Sequence, residues 1–409
     1  MKAKFKNTVG LLIVSILLAG GLFLQPAAFA ENNYLVPGDA RRGWQVFTEK
    51  GCIQCHVMGE KSSAMAPNLF KSSATHLSSS GLAAVMWNHA PEMWEKMSAK
   101  WFEYKKFENT EMADLFAFIY FMRYLDVPGN PDKGKEVLEA KKCTECHSIG
   151  GKGKTIGPDL AVWKNYTNPI LWVQMMWSHA SKMKAAIERG SLTWPELGPT
   201  DIVDIIAYVG TIGKPAKLHE VVLASGDPAD GKKTFSEKGC GRCHSTEETE
   251  KKSGPNLGLG RGNFPSTVGQ LASLMWNHIP NMLKQMRQEN ISLPYLSAKD
   301  MADITAYLFA IRYFDPSGNS VAGGKIFETK HCSVCHDTSR SPKAGEKGPN
   351  LANLKGIISP IEIATSLWNH GPSMVSRMKG KNIKWQRISD TELNNLIAYL
   401  NSLNSNGPK

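Results

Sequence analysis

Eight cysteines occur in the 409-residue chain, and all fall in four copies of one pattern: Cys52-Ile-Gln-Cys55-His56, Cys143-Thr-Glu-Cys146-His147, Cys240-Gly-Arg-Cys243-His244 and Cys332-Ser-Val-Cys335-His336. Two thiols three positions apart lie on one side of a helical turn, where they can form thioethers with the two vinyl groups of one porphyrin. The adjoining imidazole then reaches the iron from the proximal face. A redox disulfide, or two four-cysteine zinc sites, would also use paired cysteines. Neither needs a histidine directly after the second cysteine, and neither uses every cysteine in the chain. Four covalent haem c groups are expected, held by the eight cysteines, with His56, His147, His244 and His336 on the iron.

The elements that must position these residues repeat with them. The first cysteines are 91, 97 and 92 residues apart, the signature of tandem structural units. Nine positions before each stands Gly43, Gly134, Gly231 or Gly323, and five before it Phe47, Leu138, Phe235 or Phe327. A small and a large apolar residue at i and i+4 share a helix face, and the glycine admits a second helix. A turn follows each motif: Pro67-Asn68-Leu69, Pro158-Asp159-Leu160, Pro255-Asn256-Leu257 and Pro349-Asn350-Leu351. Each unit closes with a strongly apolar helical pattern, from Met112, Ile202, Met301 and Leu393 to Phe118, Tyr208, Tyr307 and Tyr399. Ser389-Asp-Thr-Glu392 reads as a capping box opening the last of these. Turn-rich segments at 126–131, 210–230 and 315–319 divide the chain into domains at 31–128, 129–218, 219–315 and 316–409. The first and third are short, so neighbouring domains are expected to touch and hold their haems in a defined order.

Helix, haem motif, Pro-Leu turn, middle helix, terminal helix: this order resembles the class I cytochrome c fold in all four repeats. The resemblance implies an all-α protein of four tandem cytochrome c-like helical domains, each around one covalent haem. It implies that Gly43 and Phe47 pack against the Phe118 region, and likewise in the other repeats. It also implies that the carbonyls of Pro67, Pro158, Pro255 and Pro349 accept a hydrogen bond from the proximal histidine and fix its tautomer. Electron transfer is the activity it implies, not enzymatic catalysis.

In one respect the chain departs from that family, whose sixth ligand is a methionine in the loop before the terminal helix. The corresponding loops hold Tyr104-Lys-Lys-Phe107, Trp194-Pro195, Leu293-Pro-Tyr295 and Trp385-Gln386, with no methionine. The middle helix offers a repeated substitute: Trp87-Asn-His89 with Met93, Trp177-Ser-His179 with Met183, Trp276-Asn-His278 with Met282, and Trp368-Asn-His370 with Met374. The thioethers of Met93, Met183, Met282 and Met374 are the first choice as sixth ligands, because a thioether is the family's usual donor. A second methionine one turn on (Met97, Met286, Met378) is replaced by Ile187 in repeat two and cannot serve everywhere. His89, His179, His278 and His370 are the alternative set. Pro91, Pro280 and Pro372 are expected to end one helix and start another there, and the tryptophans to pack on haem.

Composition sets the surroundings. Lys2, Lys4 and Lys6, the apolar run Val9 to Leu24 and the small residues at Ala28 and Ala30 read as a signal peptide over 1–30, placing the mature chain in the periplasm or outside the cell. No later stretch is apolar enough to span a membrane. Hydrophobic content of 42% supports buried cores. The formal charge of +11 falls to 11 − 3 = +8 without the leader lysines. Lysine and arginine are spread through all repeats instead of forming a nucleic-acid tract, and eight haem propionates offset them. Redox proteins or membrane respiratory complexes are the expected partners. A reductase or oxidase with one open haem, or a subunit of a haem filament or membrane complex, are the alternatives.

Overall fold

The computed structural model describes residues 37–56, 66–69, 78–99, 103–122, 124, 126–162, 168–213, 226–247, 250–258, 265, 267–339, 348–354 and 356–405. The expected signal peptide and residues 214–225 of the middle linker lie outside them. Repeat one holds α1 (Ala40–Glu49), α2 (Ser79–Ala99) and α3 (Asn109–Met122), and repeat two α4 (Pro131–Ala140), α5 (Pro169–Arg189) and α6 (Asp201–Ile212). Repeat three holds α7 (Pro228–Glu237), the short α8 (Cys240–Cys243), α9 (Val268–Gln288) and α10 (Ala298–Ala310), and repeat four α11 (Ser320–Thr329), α12 (Pro360–Gly380) and α13 (Asp390–Ser405). The strand content among the described residues is one antiparallel pair, Ser148–Ile149 with Lys152–Gly153. No described helix is long and apolar enough to cross a membrane.

Each first helix is opened by an Asp or Asn whose side chain accepts from the backbone of the first turn: Asp39, Asn130, Asp227 and Asn319. It then crosses the terminal helix at its glycine. A Cβ on Gly43, Gly134, Gly231 or Gly323 would lie 1.9–2.0 Å from the carbonyl oxygen of Asp114, Asp204, Asp303 or Asn395, so only glycine permits this approach. Beside it Phe47 packs on Phe118 at 5.4 Å, Phe235 on Tyr307 at 5.8 Å and Phe327 on Tyr399 at 5.6 Å. The same four polar residues of the terminal helices, inside otherwise apolar stretches, accept the backbone N–H of the cap residue at 2.6–2.8 Å. The three buried carboxylates, Asp114, Asp204 and Asp303, are held by what they accept. The Ser389–Glu392 capping box is present, with both reciprocal bonds.

The middle helices correct one expectation. Pro91, Pro280 and Pro372 lie inside continuous 21-residue helices instead of ending them. Proline has no N–H, so the carbonyl four residues earlier loses its ladder partner. Those carbonyls belong to Trp87, Trp276 and Trp368. Each finds a donor from another repeat: Trp385 Nε1 to Trp87 at 3.0 Å, Trp194 Nε1 to Trp276 at 3.2 Å, and the Tyr104 hydroxyl to Trp368. The ring pairs stack at 4.7, 4.2 and 5.9 Å. Repeat two has Ser181 in place of the proline, leaving the carbonyl of Trp177 its helical partner. The facing loop position in repeat three is Leu293, which donates nothing and packs into the core. Three prolines meet three aromatic donors, and the one serine meets the one leucine.

These bonds pair repeat one with repeat four and repeat two with repeat three. The indoles of Trp87, Trp368, Trp177 and Trp276 donate to the carbonyls of Gln386, Lys105, Pro294 and Pro195 at 2.6–3.0 Å. Asn88 exchanges two bonds with the backbone of Ile388, Asn369 with Phe107 and Asn277 with Leu197. In repeat two, where Ser178 replaces the asparagine, Gln174 reaches the Leu296 carbonyl instead at 2.8 Å. Gly371 leaves a notch for Trp94, since a Cβ there would fall 1.9 Å from its ring. One hydrophobic core accordingly runs through repeats one and four, another through two and three. The tryptophans are clasps between repeats, and the loops without a methionine are the strips they grip.

A third junction joins repeats one and three. The Tyr120 hydroxyl donates to the Phe309 carbonyl, and Tyr120 packs on Tyr313 at 4.9 Å and Tyr124 on Phe309 at 4.1 Å. Asp126, after α3, accepts from Thr267 and from the Gly269 N–H at the start of α9. Asp315, after α10, accepts from the hydroxyls of Ser78 and Ser79 and from the Ser80 N–H at the start of α2. Each linker carboxylate thus caps a helix N-terminus in the other half of the chain.

Candidate haem centres

Each haem motif follows its first helix through a residue in the left-handed region: Gly51, Lys142, Gly239 and His331, at φ 81°, 60°, 81° and 63°. The motif itself is one tight turn, closed by the histidine N–H on the carbonyl of the first cysteine at 2.9–3.0 Å in all four repeats. That turn brings both thiols and the imidazole to one side. The thiols are not joined in disulfides. Among the described residues no three His, Cys, Asp or Glu side chains converge as a metal cluster would require, so the motifs do not pool into zinc sites. Burial pushes the thiols of Cys52, Cys143, Cys240 and Cys332 up to about 11. They face an apolar interior suited to a porphyrin.

The proximal rings are oriented as expected. Nδ1 of His56, His147, His244 and His336 donates to the carbonyl of Pro67, Pro158, Pro255 and Pro349 at 3.1, 2.9, 2.9 and 3.0 Å. This tautomer leaves Nε2 with its lone pair for iron. In repeats two to four a glycine precedes that proline, and a Cβ on Gly157, Gly254 or Gly348 would fall 2.4, 2.8 or 3.0 Å from the ring. Ala66 holds this place in repeat one, where the His56 ring nonetheless makes the same bond to the following proline carbonyl. Burial lowers the His56 pKa, offset in part by its bond to Pro67.

The middle-helix histidines are also held. Nδ1 of His89, His179 and His278 donates to the carbonyl one turn back, Val85, Met175 and Leu274, at 2.9, 2.9 and 2.8 Å. That again leaves Nε2 free. His89 adds a smaller lowering of the His56 pKa to that of burial, and His336 does the same to His370. Met93 packs against the core of repeats one and four, and Met183 and Met282 against that of two and three. Met374 is half-buried.

Residues that sequence reasoning passed over are the polar anchors Asp114, Asp204 and Asp303, which are buried, and the half-buried Asn395. Their signal was present: one polar residue at the same place in four apolar helices. The interface asparagines beside the histidines carried a similar signal.

A mostly helical chain with four such centres is a multihaem protein of the c type, and the donors present fit the cofactor: two thiols and an oriented imidazole per site in an apolar setting. The family model for cytochrome c matches residues 40–122, 131–213, 228–311 and 320–404, and the chain belongs to that family, with four haem c groups and an electron-transfer role. No curated protein and no solved structure matches it.

Proposed function

We propose that this is an exported tetrahaem electron carrier of the periplasm or cell surface, passing electrons between redox proteins or membrane respiratory complexes. The observation that carries the reading is that all four oriented proximal sites belong to one continuous body of interlocked repeats. The lysine-rich, apolar leader supports export, with the mature chain starting at Glu31. Bound haem supplies a one-electron ferric–ferrous couple. The paired cysteines would anchor it by thioethers, and the proximal histidines would offer it Nε2.

For the sixth position we favour His89, His179, His278 and His370 over Met93, Met183, Met282 and Met374. What supports this is the bond from Nδ1 to the preceding turn in three repeats, which fixes the tautomer as the proline carbonyl does on the proximal side. If these histidines join the proximal ones in holding the iron, bound haem would leave no place there for substrate.

Mass spectrometry and a pyridine haemochrome assay should find four haems per chain, and the reduced protein should leave carbon monoxide unbound. Another haem number would sink the reading. Carbon monoxide binding to the wild type would point to a reductase or oxidase, and fibres in electron micrographs to a haem filament. A chain still beginning at Met1 in the membrane fraction would replace the exported carrier by an anchored one.

A further inference from the structure

We infer that the four redox sites are wired in the spatial order 4–1–3–2, not in the order of the sequence. This rests on the electron-transfer reading above. The inter-repeat hydrogen bonds between described residues fall on three junctions: repeats one and four, two and three, and one and three. At the first two, the paired elements are the middle helices themselves, α2 with α12 and α5 with α9. These helices carry the candidate sixth ligands His89, His370, His179 and His278. A cavity of about 470 Å³ shows how closely two sites share material: it is lined by His370, Asn369 and Pro372 of repeat four together with Trp94, Met97 and Tyr104 of repeat one. The Trp94 Nε1 in its wall is buried and has no protein acceptor. Site four is therefore built partly from repeat one.

At the centre, the Tyr120, Tyr124, Phe309 and Tyr313 cluster joins repeats one and three. The reciprocal caps by Asp126 and Asp315 give this junction a pseudo-twofold relation that exchanges repeat one with three and two with four. Repeats two and four are then the outer ends, where partner proteins deliver and withdraw electrons. Sites one and three are interior relays.

The test uses the full, haem-loaded wild-type chain. Two-dimensional exchange NMR of the haem methyl signals during partial reduction, with each haem assigned through contacts to its own repeat, yields the redox interaction of every haem pair. Such interactions fall with separation. Those of pairs 1–4 and 2–3 should be at least about twice those of 1–2 and 3–4, with 1–3 the next largest. Dominant 1–2 and 3–4 interactions would overturn the wiring while leaving the electron-carrier reading intact. Fewer than four one-electron steps would instead overturn that reading. As a second arm, Asn88→Ala with Asn369→Ala, which cuts the reciprocal clasps of α2 and α12, should reduce the 1–4 interaction and spare 2–3. Equal effects on both pairs would count against the inference.

Discussion

The Trp385 indole donates to the carbonyl of Trp87 at 3.0 Å, the very carbonyl that Pro91, four residues on, leaves without a helical partner. A helix defect in one repeat is thereby satisfied by a loop nearly three hundred residues away. The match of proline with aromatic donor, and of Ser181 with Leu293, makes each defect and its repair a pairing rule between repeats.

Trp385→Phe should therefore weaken the junction of repeats one and four by about 1–3 kcal/mol, the cost of an unsatisfied buried carbonyl. Pro91→Ala in the same background should recover most of it, because the new N–H completes the ladder. Denaturant melts of the holoprotein measure both. An identical loss with and without Pro91→Ala would refute the explanation.

At the sixth position, repeat two is the place to look, since Ile187 removes the outer methionine there. His179→Ala should open one haem to carbon monoxide while the other three stay six-coordinate. Met183→Ala should leave coordination unchanged. The reverse outcome would return the ligand to Met183, and a higher potential with it.

Gly134→Ala should loosen repeat two alone. Its Cβ would meet the Asp204 carbonyl oxygen at 1.9 Å, and backbone cannot swing aside as a side chain can. Overpacking of this kind costs about 3 kcal/mol, to be read as faster amide exchange in α4 and α6. Gly380→Ala, with open space around it, is the control.

Burial at the central junction raises the Asp126 pKa above the ordinary carboxylate value, against the bonds from Thr267 and Gly269 that lower it. The folded chain then holds this proton to higher pH than the unfolded chain, so the contribution of Asp126 to stability declines as pH rises through that window. Asp126→Asn abolishes the titration. Stability of the variant relative to wild type should accordingly rise from pH 4 toward neutrality; a relative fall would contradict the burial argument.

The sequence by itself determined the cofactor, its number and the local frame. Cys-x-x-Cys-His chemistry is complete within five residues, and the Gly43–Phe47 spacing acts across one helix crossing; both are short-range and need no knowledge of what lies beyond the repeat. The Pro67, Pro158, Pro255 and Pro349 carbonyls were legible for the same reason. Which repeats meet was decided only by the tertiary structure. The tryptophans at 87, 177, 276 and 368 have partners in a different repeat, and nothing in a local pattern says whether an indole packs on a porphyrin or grips a loop. The prolines of the middle helices misled for a related cause: a missing N–H ends a helix in isolation, but a donor from the facing repeat lets it continue. The orientation of the His179 ring likewise depends on the side-chain rotamer that lets Nδ1 donate to the Met175 carbonyl, which residue spacing does not fix.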